Sequence, residues 1–312
     1  MSPPHRRSAD KLVVWLVSDG KPGHDNQSLG LAEALGRLVD TESLSVPAQR
    51  PGTAVRRWLT RRFPEVEGLP DPQLIIGAGH GTHATLLAAR RCRGGRAIVL
   101  MSPSLPPNCF DLCLVPAHDD ARGPSIMRTS GPLNRVRPGT PPADGPGLIL
   151  LGGPSRHFVW HDDQLFLQLT AVVDADPDRQ WIVATSRRTP ASLLLRLKSM
   201  HRPGLEVMPH AKTGRDWLVA RLAEAPRIWV SEDSISMIYE ALTSGAAVGL
   251  IGLERGPPDR VSKEIDRLCV QGWVCRMTPG IKPPVPTPPP RILDEATRCA
   301  ELILQRWPEL NS

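Results

Sequence analysis

The sequence lacks several features that would assign a protein to a class at once. No apolar run approaches the roughly 18 residues that a membrane-spanning helix requires, which excludes an integral membrane protein. Aromatic residues make up only 4% of the chain and the net charge is +6, so it offers neither a stacking platform nor a basic stripe for nucleic acid. Residues 1–10 lack the apolar core of a secretory signal, and we therefore expect a cytoplasmic protein.

The six cysteines form no Cys-x-x-Cys pair and no Cys/His spacing typical of a zinc site, which favours reduced thiols over disulfides. Asp174-Ala175-Asp176 does have the Asp-x-Asp spacing that can hold a divalent ion against a diphosphate. It precedes an apolar strand that begins at Trp181, so it belongs at the sheet edge away from a ligand. We predict no metal and no other cofactor.

What the chain does contain is the composition of a globular protein, with 312 residues of which 40% are hydrophobic. This length exceeds what one core fills comfortably, and two proline-rich stretches, Pro138–Gly147 and Pro279–Pro290, interrupt it. We predict an N-terminal domain over 1–140, a second domain over 146–278, a stiff linker over 279–290 and a C-terminal helical segment over 291–312.

Short apolar strands alternate with helical patterns in both halves, which indicates an α/β fold with parallel sheets. The predicted strands are Lys11–Ser18, Leu74–Ile76, Ala97–Leu100, Leu112–Val115, Leu148–Leu151, Trp181–Ala184, Leu205–Met208, Ile228–Val230 and Val248–Ile251. The predicted helices of the second half are Asp162–Asp174, Pro190–Met200, Arg215–Ala223, Ser234–Ser244, Arg260–Gln271 and Ile292–Trp307. We expect two Rossmann-like domains facing each other across a cleft, with the last helix packed on the first domain and ligands beyond the carboxyl ends of the strands.

The first strand runs into a glycine turn, Ser18–Gln27, which a helix follows. Glycine lets the backbone approach a ligand closely, and a helix start presents free N–H groups. His24 is the side chain there that is suited to act as a general base near neutral pH. The alternative is a turn histidine that only caps the helix.

The first strand of the second half also ends in a glycine turn, which contains Gly152, Gly153 and Ser155. Backbone amides in such a turn can bind phosphate oxygens, and Arg187 after the next strand could hold a diphosphate. The alternatives are a plain tight turn and a solvated arginine.

A third strand end starts a helix that carries Ser234, Ser236 and Glu240. The two serines and their amides at the positive helix end could hold a diphosphate. Glu240 either binds a ligand's hydroxyls or pairs with a buried arginine.

Four blocks of this sequence resemble the bacterial relatives of the plant "elongated mitochondria" fission protein. They are DGKPGHDNQSLGLAEAL, LGGPSRHFVW, TSRRTP and SEDSISMIYEALTSGAAVGLI, and the resemblance spans about 13–274. That family is assigned as glycosyltransferases of the GT-B type, some of them in lipopolysaccharide core assembly. The proline-rich stretch at 279–290 has no counterpart in the common pattern.

The resemblance implies roles for particular residues. It implies that His24 is the base for an acceptor bound by its turn, that Glu240 binds the donor ribose, and that the glycine pair admits the donor diphosphate. The turn here is Gly-Lys-Pro-Gly-His instead of a full glycine run, so the role of His24 departs further from the pattern than that of Glu240. The implied acceptor-binding residues are Gly20, Gly23, Asn26 and Gln27; the implied donor-binding residues are Gly152, Gly153, Ser155, Arg187, Ser234, Ser236 and Glu240.

These inferences lead to a metal-independent transferase that moves a sugar from a nucleotide-diphosphate sugar to a cell-envelope glycan or lipid-linked acceptor. One alternative is a nucleotide-sugar epimerase, for which Asp19, Asp25 and Glu232 are candidate acid or base groups. The other is a non-catalytic scaffold that recruits partners on the same fold.

One segment of the predicted acceptor domain suggests where the protein works. Val55, Trp58, Leu59 and Phe63 fall on one helical face, and Arg56, Arg57 and Arg61 lie beside or opposite it. A basic amphipathic helix of this kind can lie in an anionic membrane interface, and we expect Trp58 and Phe63 to be exposed if it does. This would place the protein on the inner face of the cytoplasmic membrane. The alternative is an ordinary core helix.

Overall fold

The computed structural model describes residues 11–117, 119, 121–214, 216–278 and 280–311. Arg215 of a predicted helix, Pro279 of the predicted linker, and residues 1–10 and Ser312 at the two ends of the predicted domains lie outside these ranges. The chain divides into two compact units, the first formed by 11–135 with 295–311 and the second by 136–294. Each unit is built on a six-stranded parallel sheet of its own.

The sheet of the first unit is formed by strands β1 (Leu12–Ser18), β2 (Thr41–Pro47), β3 (Leu74–Ala78), β4 (Arg96–Leu100), β5 (Leu112–Pro116) and β6 (Ile126–Thr129). Their order in the sheet is β2-β1-β3-β4-β5-β6. The inner strands are apolar on both faces because helices cover both sides of the sheet. The chain leaves β1 toward β2 on one side and returns to β3 on the other, so the strand order reverses at β1.

Helices α1 (Pro22–Leu38), α2 (Pro51–Thr60) and α3 (His83–Arg93) connect these strands. Both α1 and α2 begin at a proline, whose missing N–H has no helical partner at that position anyway. Leu31 and Leu35 of α1 pack on one face of the sheet, and Leu86 of α3 packs on the other. The unit therefore has two apolar layers with the sheet between them.

The second unit contains β7 (Gly147–Leu151), β8 (Phe158–Val159), β9 (Trp181–Thr185), β10 (Leu205–Met208), β11 (Arg227–Ser231), β12 (Ala247–Ile251), β13 (Glu254–Arg255) and β14 (Cys275–Arg276). Its helices are α4 (Asp162–Ala175), α5 (Ala191–Ser199), α6 (Trp217–Glu224), α7 (Ile235–Thr243) and α8 (Arg260–Val270). The sheet order is β10-β9-β7-β11-β12-β14, and β8 pairs with β13 in a separate antiparallel ribbon. Numbered within the sheet, this is the Rossmann order 3-2-1-4-5-6, which reverses beside β7.

The last helix, α9 (Glu295–Arg306), belongs to the first unit, as predicted. It packs against α1 and buries Ala296, Cys299 and Ile303 in the same apolar layer. The Arg37 guanidinium donates to the Thr297 hydroxyl at 2.8 Å on the solvent side.

The proline-rich segment before α9 packs as part of the second unit instead of acting as a spacer. Residues 280–294 are assigned to that unit, Pro286 is buried, and Leu293 joins the second unit's core. A run of prolines predicts a stiff segment, but it does not show whether the apolar proline rings pack against the rest of the protein.

Two edge strands of the first sheet, β2 and β6, were not among the predicted strands. Both carry polar residues: β2 exposes Glu42 and Ser43, and β6 exposes Arg128. An edge strand has one free side and partial exposure, so it lacks the continuous apolar run that marks a central parallel strand.

The expectation for Phe63 was wrong. The helix α2 ends at Thr60, and Arg61 adopts a left-handed conformation with φ of 52°, which turns the chain. Phe63 then packs into the first unit's core with 6% of its surface exposed. Within the described residues, no helix has both the length and the apolar character that crossing a membrane requires.

Candidate functional site

In the first unit, the turn after β1 lies where the strand order reverses. Ligands of open parallel sheets bind at this position, beyond the carboxyl ends of the strands on either side of the reversal. The turn occupies residues 19–21, and α1 begins at Pro22, so Gly23 and His24 lie in the first turn of the helix instead of before it. The neighbouring strand β3 ends in a glycine-rich loop, Gly79–Thr82.

Asp19 of this turn and His24 of the first turn of α1 form a close pair. Nδ1 of His24 lies 3.0 Å from Oδ2 and 3.1 Å from Oδ1 of Asp19, and the Asp19 side chain is only 9% exposed. Burial alone would raise the pKa of the Asp19 carboxyl, but the hydrogen bonds from His24 and from the Lys21 amide, with the charges of both residues, lower it below its ordinary value. An ionised Asp19 accepts the Nδ1–H of His24, which leaves Nε2 with a free lone pair.

The loop after β3 has to be glycine-rich because the pair lies against it. A Cβ atom on Gly79 would overlap the His24 ring, and Gly79 has a φ of +77° that other residues rarely adopt. A Cβ on Gly81 would lie 3.1 Å from Oδ2 of Asp19. Gly79 and Gly81 directly after β3, with Gly77 near its end, are a sequence signal for this loop that was not among the predictions.

The residues predicted to bind the acceptor lie on both sides of His24 but differ in access. Gly20 and Gly23 are exposed, and a Cβ atom added to either would meet no other atom within 4 Å. Asn26 is half-buried, and Gln27 is only 7% exposed. The open segment therefore runs from Gly20 to Gly23, across the turn and the start of α1.

In the second unit, the glycine pair after β7 lies at the corresponding reversal, beside β11. The amide of Gly152 donates to the Ser231 hydroxyl at 2.8 Å, and the amide of Gly153 donates to Oδ2 of Asp233 at 3.0 Å. A Cβ on Gly152 would overlap the Asp233 carboxylate, and one on Gly153 would overlap the backbone of Arg188. Close packing within the protein thus accounts for both glycines, and their amides already have acceptors.

Asp233 is the centre of this packing. Its carboxylate is fully buried, accepts from the Ser231 hydroxyl at 2.7 Å, and pairs with the Arg188 guanidinium at 2.6 Å. Burial raises the pKa of Asp233 above its ordinary value, although the hydrogen bonds from Ser231 and Gly153 and the charge of Arg188 oppose that shift. Of the two adjacent arginines, Arg188 is therefore bound to the protein, whereas Arg187 is exposed and has no partner among the described residues.

The start of α7 presents polar groups that can face a ligand. Ser234 precedes the helix without a side-chain capping bond, and both Ser234 and Ser236 are half-buried. N–H groups and hydroxyls at a helix start favour an anion. Glu240 lies further along the same helix and is also half-buried. Ser155, in the loop after β7, accepts from the His157 amide at 3.3 Å.

Glu232, one of the candidate carboxylates, is fully buried in an ion-pair cluster. Its Oε2 accepts from Nη2 of Arg276 and from the Leu253 amide, both at 2.9 Å, and its Oε1 forms an ion pair with Nε of Arg276 at 2.5 Å. Arg255 lies 3.6 Å away. No local pattern could reveal these partners, because they are contributed by strands and loops distant in the sequence.

The Asp-x-Asp turn is engaged elsewhere. Asp176 pairs with Arg179 at 2.8 Å and with Arg227 at 2.6 Å, and Asp174 pairs with Arg202. In the described ranges, no group of three or more His, Cys, Asp or Glu side chains is arranged to hold a metal ion.

The comparison with protein families assigns the chain. Residues 22–307 match the family described as Mitochondrial fission ELM1. The chain belongs to this family. A curated relative, the uncharacterized protein RP120 of Rickettsia prowazekii (strain Madrid E), is 24% identical over 289 residues, which is 75% of this chain and 81% of the relative.

Solved structures share the fold at low sequence identity. A Listeria monocytogenes protein assigned as a UDP-N-acetylglucosamine 2-epimerase superposes with a TM-score of 0.57 and 11% identity, covering 95% of this chain and 88% of its own. The UDP-N-acetylglucosamine 2-epimerase of Methanocaldococcus jannaschii superposes with a TM-score of 0.53 and 11% identity, covering 95% of this chain and 100% of its own. The Staphylococcus aureus MnaA–UDP structure superposes with a TM-score of 0.52 and 11% identity, covering 96% of this chain and 89% of its own. The predicted class, two Rossmann-like units of the GT-B type, is thereby confirmed as the fold.

Proposed function

We propose that this protein is a metal-independent glycosyltransferase that takes a sugar from a nucleotide-diphosphate sugar. The observation that carries the proposal is the Asp19–His24 pair at the strand reversal of the first unit. A histidine whose Nδ1–H is held by a buried carboxylate has a fixed orientation and a free Nε2, as a general base requires. Helix capping alone would not require a buried, ionised carboxylate beside the histidine.

In this proposal, Nε2 of His24 removes the proton from an acceptor hydroxyl as that oxygen attacks the anomeric carbon of the donor. The bond between that carbon and the diphosphate oxygen breaks, and the diphosphate leaves with the electron pair. Asp19 stabilises the imidazolium that His24 becomes. The exposed segment at Gly20 and Gly23, with Asn26, offers the acceptor room beside the base, whereas we assign Gln27, which has low exposure, to packing.

The donor would be held by the second unit. The start of α7, with the hydroxyls of Ser234 and Ser236, and the exposed guanidinium of Arg187 would stabilise the charge on the leaving diphosphate. Glu240 would accept hydrogen bonds from the ribose hydroxyls. Because the amides of Gly152 and Gly153 are already bonded, we assign these glycines to the shape of the site and not to direct phosphate binding. Ser155 would line the same edge.

We further propose that the acceptor is a cell-envelope glycan or a lipid-linked glycan of the lipopolysaccharide core type. This rests on the family resemblance of the sequence blocks. An epimerase is the less favoured interpretation, because two of its candidate carboxylate groups behave differently from what it needs: Glu232 is fully buried against Arg276, and Asp19 is occupied by His24.

The test is to incubate the full chain with nucleotide-diphosphate sugars, with and without a deacylated core-glycan acceptor, and to identify the products by mass spectrometry. We expect donor consumption that depends on the acceptor and yields an acceptor one sugar larger. His24→Ala should lower turnover by about 10²- to 10⁴-fold and leave donor affinity nearly unchanged. A new isomer of the donor without acceptor would establish the epimerase instead. No change in any donor would favour the scaffold.

A further inference from the structure

The outer face of α2 is the most apolar exposed surface of the first unit. In the described part of this unit, five large hydrophobic side chains are exposed, and three of them lie on α2: Val55 at 52%, Trp58 at 40% and Leu59 at 65%. Their spacing of three and four residues puts them on one side of the helix. The buried Ala54 lies on the adjoining side of the helix, and α2 packs against α3. We call these three residues the α2 face.

Arginines flank the α2 face. Arg56, Arg61 and Arg62 are exposed, and none of them forms an ion pair with another described residue. The nearby Glu65 does not neutralise them, because it binds Arg57 at 2.7 Å. An apolar stripe with uncompensated positive charge at its margins is complementary to a surface that is apolar inside and anionic outside.

Trp58 is fixed in its exposed position. The Arg91 guanidinium stacks over the indole ring at 4.3 Å, and its Nε donates to the Trp58 carbonyl at 3.0 Å. Tryptophan has an apolar body and a polar N–H, which suits the boundary between lipid headgroups and acyl chains. A fixed ring also loses little conformational freedom on docking.

We propose that the α2 face docks the first unit onto an anionic lipid bilayer, with α2 lying in the plane of the interface. Three arginines without an ion pair in the described chain and three apolar side chains within eight residues fit such a surface better than an acidic protein, which would not need the apolar stripe. The segment before α2 reaches the end of the unit that carries the Asp19–His24 pair, whereas the α2 face itself lies beside the C-terminal end of α3, at Arg91. Just before α2, the Gln49 amide donates to the Thr85 hydroxyl at 2.8 Å, and Thr85 is in the first turn of α3, directly after the loop that packs on His24. The proposal does not depend on glycosyl transfer.

The test is sedimentation of the full chain with vesicles of phosphatidylcholine alone and of phosphatidylcholine with phosphatidylglycerol at a ratio of about 3:1. We expect binding only to the anionic vesicles and release at about 0.5 M salt, where charges are screened within a few ångströms. Val55→Ser/Leu59→Ser should weaken binding about tenfold or more. Arg56→Gln/Arg61→Gln/Arg62→Gln should weaken it roughly a hundredfold, since each basic residue near an anionic leaflet contributes about fivefold.

Matched variants control for exposure and charge. Leu167→Ser/Leu195→Ser removes two leucines of 65% and 68% exposure from the second unit, and Arg122→Gln/Arg137→Gln/Lys282→Gln removes three exposed charges elsewhere. Both should bind vesicles within about threefold of the wild type, and all variants should keep the wild-type circular dichroism. Three results would overturn the proposal: no binding of the wild type to anionic vesicles, equal binding by Val55→Ser/Leu59→Ser, or a wild-type dimer in ultracentrifugation that this same variant converts to a monomer.

Discussion

The two units begin alike, with an apolar strand that ends in a glycine turn at the point where the strand order reverses, but the glycines of the two turns differ in purpose. Gly20 and Gly23 of the first unit are exposed, with open space around them. Gly152 and Gly153 of the second unit are buried against Asp233 and Arg188. The first turn is thus open to a ligand, whereas the second is closed by the protein itself.

The difference teaches that a glycine pair at a strand end does not by itself indicate a phosphate site. In the second unit, the amides that a phosphate would use are bonded to Ser231 and Asp233. The groups left for an anion lie on the next strand end, at the start of α7. In the first unit, the glycines that matter most for the reactive pair are Gly79 and Gly81, on the neighbouring loop.

The largest expected effect is a loss of stability from a substitution in the closed turn of the second unit. Gly153→Ala places a methyl group inside the backbone of Arg188, which cannot move away as a flexible side chain could. We expect a loss of about 3 kcal/mol in the free energy of unfolding, at the upper end of overpacking effects. Urea unfolding measures this. A variant as stable as the wild type would show that the turn is not closed.

The next largest effect is expected on turnover, from a substitution in the Asp19–His24 pair. Asp19→Asn removes the charge that fixes the His24 tautomer, and we expect turnover to fall about a hundredfold with donor affinity unchanged. The lowered pKa of Asp19 also has a consequence for stability. The ionised Asp19 carboxylate stabilises the fold above the ordinary aspartate pKa of about 4, and this contribution is lost as the pH falls through the lowered value. The stability difference between wild type and Asp19→Asn should therefore shrink below about pH 4. Full turnover by the variant would remove Asp19 from the mechanism.

Glu240→Gln is expected to have a smaller effect, confined to the donor. Replacing a carboxylate that accepts from ribose hydroxyls should weaken donor binding about tenfold, measured by calorimetric titration. The matched substitution Glu301→Gln, on the exposed side of α9, should leave the donor affinity unchanged. Equal donor affinities for the wild type and Glu240→Gln would show that Glu240 does not bind the nucleotide.

The open turn gives the smallest effect. Gly23→Ala adds a methyl group where nothing lies within 4 Å, at the start of α1 and with an ordinary φ. We expect a free energy of unfolding within about 1 kcal/mol of the wild type, because alanine has a higher helix propensity than glycine. The pair Gly23→Ala and Gly153→Ala sharpens the contrast between the turns, and equal destabilisation by both would break it.

Most of the fold was predictable because buried parallel strands are marked by apolar runs that end near turns. The central strands were predicted to within one or two residues, and the edge strand Leu205–Met208, which is largely apolar, was predicted with the bounds observed. The edge strands β2 and β6 were not predictable in this way, since their polar residues carry no apolar signal.

The site was predictable only as far as local sequence reaches. His24 and the start of α7 follow strand ends, so their neighbourhood was evident. The partners that decide which groups are engaged were not evident: Arg188 comes to Asp233 across 45 residues, and Arg276 comes to Glu232 across 44. Tertiary packing, not spacing, determines that Arg188 is bound to the protein while Arg187 stays exposed.

The central claim is that the second unit binds the donor while the first supplies the base. The most direct measurement is the thermal unfolding midpoint of the wild type, His24→Ala and Glu240→Gln against a panel of nucleotide-diphosphate sugars, because a ligand that binds only the folded state must raise stability. We expect one class of donor to raise the midpoint of the wild type and of His24→Ala equally, and that of Glu240→Gln less. No shift with any donor, or a shift kept by Glu240→Gln and lost by His24→Ala, would contradict the claim.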